Sequence, residues 1–234
     1  MSETTLTLSN SVFSSNKASA MIFNSATGVV TIDSTTFQTD VADILLVPLI
    51  SISSSEMTST NVSFTDIHMA TNMLSIQATT INMLTNTFVG CNVANDVEAI
   101  HLEVDVLNMT LCGANSSALT SHFLTVEPLG TYPSDSMTAV HLIDNQFHDN
   151  TATCSPSCTL VLIAGGSTSS TSTALEVEVL NGIYDSNVGI GMLLVLGANP
   201  GLVFTLDNAK ITNNQIPTIP ALVVQDASAT APIA

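Results

Sequence analysis

Arginine and tryptophan are absent from this 234-residue chain, and lysine occurs only as Lys17 and Lys210. Against nineteen acids this leaves a formal net charge of −17. Such a surface lacks the positive field that attracts phosphate backbones and anionic headgroups, so no nucleic-acid partner is expected. Aromatic residues make up 4% of the chain and charged residues 9%. Neither a broad core built on large rings nor a set of charge-laced helices is available from that stock. No apolar run approaches the ~20 residues of a membrane-spanning helix. The stretch ILLVPLISI is short and carries Pro48, so no membrane insertion is expected. The opening MSETTLTLSN has neither the basic nor the apolar segment of a signal peptide, so a secreted form is expected to be a mature or excerpted chain.

What the chain does have is a phrase that returns eight times. Its bulky apolar anchors are Phe13, Phe37, Phe64, Phe88, Leu111, Phe147, Tyr184 and Ile211. Seven and five residues before them stand mostly apolar residues, such as Leu6 and Leu8, Val30 and Ile32, Ile81 and Met83, Val177 and Val179. Apolar residues two apart make a strand with one buried face. A repeat of 23 to 27 residues, stretched to 36 and 37 in two copies, is the period of a solenoid. A second apolar run follows most anchors, as in Ile44 to Val47, Leu160 to Ile163 and Met192 to Leu196. The expected fold is therefore all-β, a parallel β-helix of about eight coils over residues 1–226, with 227–234 as a tail or linker. The two long copies carry turn-rich excursions at 127–136 and 165–174, expected to project as loops.

Four cysteines, Cys91, Cys112, Cys154 and Cys158, in a Ser/Thr/Asn-rich chain fit an oxidising compartment and an extracellular or cell-surface location. Cys154 and Cys158 share the loop CSPSC, which a disulfide could close. Cys91 and Cys112 fall shortly after neighbouring anchors, where a bridge would staple adjacent coils.

The phrases LTLSNSVFSSNKA, LIDNQFHDNTA and VLNGIYDSNVG resemble coils of right-handed parallel β-helix proteins of the pectin-lyase-like superfamily. Within it they are most similar to the non-enzymatic, surface-exposed branch with F-x-x-N repeats, and the likeness runs over nearly the whole chain. The GGA-type element that often follows F-x-x-N in bacterial polymorphic surface proteins is absent. The resemblance implies a right-handed winding and a structural or adhesive role. Its enzymatic members imply the alternative, a carbohydrate-active module. Lyases of that fold pair a Lys or Arg base with Ca²⁺-binding aspartates, and its hydrolases show clustered Asp pairs with a Gly-His-Gly turn. The chain carries neither pattern, so no catalytic residue is assigned.

Three residues before the anchors a polar column holds Asn10, Asn61, Asn108, Asn181 and Asn208, with Ser, Thr or Asp in the other copies. Strand parity places it on the inward face, where stacked amides would bond from coil to coil. Three glycosylation sequons begin at Asn61, Asn108 and Asn115. If the first two are buried ladder amides, Asn115 is the expected acceptor. Six residues before the anchors the outward column runs through Asp105, His141 and Glu178, flanked by Glu103 and Glu176. Stacked on three coils, these would surround one imidazole with carboxylates, a candidate site for a divalent cation such as Ca²⁺ or for a raised His141 pKa. Apart from that candidate, no cofactor is expected. Threonines in the same column suit ice binding poorly, because Asn82, Asp105, His141 and Glu178 interrupt them. The expected partners are copies of the chain itself, other surface proteins or glycans.

Overall fold

The computed structural model describes residues 4–15, 20–39, 44–116, 118–129, 137–153, 158–164, 174–197, 202–215 and 221–226. They form a parallel β-solenoid of roughly seven turns, in which every strand pairs with its counterpart one coil away. The excursion segments 130–136 and 165–173, Cys154 and the tail 227–234 lie outside the described residues.

Each coil has three main faces, and a narrow sheet of His68–Met69, Asn92–Val93 and Ala118–Leu119 stands between the second and the third. The first is built from strands such as Thr5–Ser9, Val29–Asp33, Met137–Ile143 and Ala174–Leu180. The second is a sheet of eight three-residue strands, from Val12–Ser14 to Lys210–Thr212. The third holds Met21–Asn24, Leu124–Glu127, Thr159–Ala164 and Leu222–Asp226. In the middle of the stack the third and first faces fuse into single 11-residue strands, Ile50–Thr60, Leu74–Leu84 and Ile100–Thr110. The register skips one residue at their bend, namely Ser55, Thr79 and Asp105. In the two following coils the same corner is where Glu127 gives way to Met137 and Ala164 to Ala174. The residues flanking both long insertions therefore stand at one corner.

The inward residues alternate with outward ones and fill the bore in layers. Phe13, Phe37, Phe64 and Phe88 stack face to face at 5.0, 5.2 and 4.8 Å, close to the strand spacing that sets them one per coil. Phe147 and Tyr184 resume the stack at 5.4 Å. Between them the expected anchor is corrected. Phe88 pairs with Ala114, and Ala114 with Phe147, so the fifth anchor is Ala114 and not Leu111. Alanine cannot fill the layer. Phe123, entering from the third face, packs edge-on against Phe88 at 5.5 Å and Phe147 at 6.1 Å.

Leu111 instead occupies a turn. The residues between first and second faces are left-handed, with φ near 50°, at Asn10, Ser34, Asn61, Thr85, Leu111, Asp144, Asn181 and Asn208. A second left-handed column follows the short strands, at Ser15, Asp66, Gly90, Asp149, Ser186 and Asn213. Asn and Asp tolerate that conformation, which explains the polar column read from the sequence. The expected inward placement is corrected: Asn10, Asn61, Asn181 and Asn208 are exposed. Asn108 leaves the column altogether, because it lies in mid-strand opposite Asn82 and His141.

The buried amides come one residue after the left-handed positions, where the chain turns back inward. Asn86 accepts the Val62 N–H, and Asn145 accepts the Cys112 N–H at 2.8 Å. On the far side of the short strands, Asn150 donates to Asn187 and Asn187 to Asn214, both at 2.8 Å. These are the Asn of the F-x-x-N phrases Phe147–Asn150 and Tyr184–Asn187. Their Nδ2 groups also reach the carbonyls of Ala114 and Phe147, satisfying turn groups that water cannot reach.

Candidate functional site

The shifted fifth coil dismantles the acidic cluster expected around His141. The outward column of the first face runs Thr7, Thr31, Thr58, Asn82, Asn108, His141, Glu178, Thr205. His141 and Glu178 are neighbours as expected, with Nδ1 3.2 Å from Oε2. Asp105, however, sits at the bend, and Glu103 lies on the third face opposite Glu127. Glu176 stands opposite Ala139 and Val203, two residues from Glu178 on the same strand. No group of three or more His, Cys, Asp or Glu side chains is arranged to hold a metal ion among the described residues.

Glu103 has a different set of neighbours. The outward columns of the third face hold Ile22, Ser51, Ser75, His101 and, beside them, Asn24, Ser53, Gln77, Glu103, Glu127. All of these except Glu127 line a shallow groove of about 220 Å³. Gln77 Nε2 donates to Glu103 Oε2 at 2.9 Å. His101 is held between Glu98, 2.9 Å from its Nδ1, and Glu103, 3.7 Å from its Nε2. The contact with Glu98 outweighs partial burial and raises the His101 pKa, and the same contact lowers that of Glu98. One coil on, His122 behaves oppositely. Its Nδ1 accepts the Thr159 N–H at 3.0 Å, so the neutral ring carries its proton on Nε2. Burial lowers its pKa, against a smaller opposing pull from Glu98.

His101 and His122 stand at no recognisable motif of the sequence. Glu98 precedes the strand and Thr159 lies 37 residues further along, so neither partner was visible as a spacing.

The cysteines separate into two classes. Cys158 is buried and disulfide-bonded. Cys91 and Cys112 are free and buried, which corrects the expected staple between them. Cys112 follows the first left-handed turn and Cys91 the second, so they occupy different corners of the coil. Burial pushes the Cys91 thiol up to about 12 and Cys112 to about 11.

The sequon asparagines differ in exposure. Asn61 is exposed, Asn115 is half-buried, and Asn108 uses its Nδ2 to bond Asn82 at 2.8 Å.

No protein-family model, curated protein or solved structure matches the chain.

Proposed function

We propose that this chain is a non-catalytic extracellular module, structural or adhesive, that winds right-handed like other β-crossover-β units. Its role is to present long, flat faces to surface partners. The observation that carries this reading is the outward column Thr7, Thr31, Thr58, Asn82, Asn108, five hydroxyl or amide side chains in unbroken register. Asn108 and Asn82 are bonded at 2.8 Å, and Asn82 reaches Thr58 at 3.5 Å, so the polar groups are pre-ordered. A rigid array spends little conformational entropy when a repetitive partner docks along it. The test is immunogold electron microscopy of native-source cells together with adhesion of beads coated with the protein. Surface labelling and bead binding that outlines the source cells support the reading. Intracellular labelling overturns it.

A second reading is favoured by the third-face groove. Hydroxyls of Ser51, Ser53 and Ser75, the Gln77 amide and the Glu103 carboxylate flank the exposed aliphatic Ile22 there. Hydrogen-bonding groups around an apolar patch suit a neutral glycan. Glycan-array binding lost in the Gln77→Ala, Glu103→Ala double variant would give the groove this role, and unchanged binding would remove it.

A further inference from the structure

One outward column of the second face reads Thr36, Ser63, Thr87, Gly113, Gln146, Ile183. Gly113 has no left-handed φ and no crowding to explain it. A Cβ built there would meet only the Gln146 carbonyl oxygen, at an ordinary 3.5 Å. The missing side chain instead leaves a recess of about 240 Å³ with Val89, Leu111, Asn115, Asp144, Gln146 and His148 around it.

Leu111 is the second anomaly. It takes the left-handed conformation, φ 54°, at a position filled elsewhere by Asn, Ser, Thr or Asp, and its side chain is 51% exposed. A branched aliphatic residue bears backbone strain there without the burial that would offset it. Val89, also lining the recess, is 47% exposed. Asp144, the next residue of the left-handed column, adds a carboxylate to the lining. Asp149 stands outside the lining, at the other corner of that coil, 3.2 Å from the Nδ1 of His148. Lys210 stands three coils from Gly113 along the column, and the chain carries a net charge of −17.

We propose that this recess is a docking site for a lysine or arginine side chain presented by a basic, partly apolar segment of a partner protein. The aliphatic stem lies against Leu111 and Val89, and the cationic end meets Asp144. This surface is distinct from the third-face groove and goes beyond the adhesive reading by giving the partner a chemistry.

The experiment uses the full chain and a fluorescent peptide alternating Lys and Leu, with a Glu–Leu peptide as control, followed by fluorescence anisotropy. The Lys–Leu peptide is expected to bind and the control not to. Gly113→Thr places a side chain in the recess at a position where a Cβ fits, and Leu111→Asn restores the residue type of the other coils. Each is expected to weaken binding at least about fivefold, while the melting temperature holds or rises, a pairing that a purely structural role would not produce. Asp144→Asn keeps the Asn181 bond and is expected to weaken binding while flattening its salt dependence. Equal binding by wild type and Gly113→Thr, or equal binding of both peptides, overturns the proposal. So does a glycan found on Asn115 of the native protein, because it would cover the recess. Any of these leaves the cell-surface and bead-adhesion results untouched, so the two readings fail separately.

Discussion

Phe123 occupies, edge-on, the layer of the ring stack that Ala114 leaves empty. Its ring meets Phe88 and Phe147, the anchors on either side of Ala114. One core position is thus shared between two faces of the same coil.

Phe123→Ala should therefore open a cavity in mid-stack and cost about 3–5 kcal/mol. Adding Ala114→Phe to that variant should recover part of the loss, whereas Ala114→Phe alone should destabilise by overpacking. Urea unfolding of the four proteins, read as a double-mutant cycle, checks this. Additive effects would mean that the two side chains do not share the layer.

The buried amides make a similar demand. Asn187 accepts from Asn150 and donates to Phe147 and Asn214. Asn187→Ala should leave the Asn150 N–H unpaired and cost on the order of 1–3 kcal/mol. Asn181→Ala, in the exposed left-handed column, should cost less, and thermal denaturation of both compares them directly.

Two histidines should shape the pH dependence of stability in opposite directions. The folded pKa of His122 is lowered, so the unfolded chain binds the extra proton first and stability falls as pH drops through the imidazole range. The folded pKa of His101 is raised, so its contribution is complete below the unfolded value and is lost as pH rises through the folded one. His122→Gln should flatten the acid side of the stability profile, and His101→Gln the neutral-to-alkaline side. Melting temperatures taken from about pH 5 to 8 read both slopes.

Cys91 and Cys112 should ignore thiol reagents in the native state at about pH 8, because burial excludes the reagent and disfavours the thiolate. Denaturation should expose both. Labelling of the folded protein at either position would contradict their place in the core.

In a eukaryotic secretory host, Asn61 should be glycosylated ahead of Asn108, whose amide nitrogen is engaged by Asn82. Site-resolved mass spectrometry of the secreted protein decides the order.

The alternation of apolar and polar residues at a steady coil period was enough to specify stacked parallel strands, since each coil can bury its apolar face only on the next. It also specified seven of the eight anchors, from Phe13 to Ile211, because a bulky side chain marks each one. The fifth was illegible. Ala114 carries no bulk, and the ring that serves its layer stands nine residues later, at Phe123. From that displacement followed the misplaced Asn108, the supposed neighbours Asp105 and His141, and the apparent alignment of Cys91 with Cys112. Inward and outward amides were likewise indistinguishable in one dimension, because strand parity fails where a left-handed residue rotates the chain. Only the packed coil decided that Asn61 faces solvent while Asn150 and Asn187 line the bore, and only lateral register brought Gln77 to Glu103 and Leu111 to the recess at Gly113.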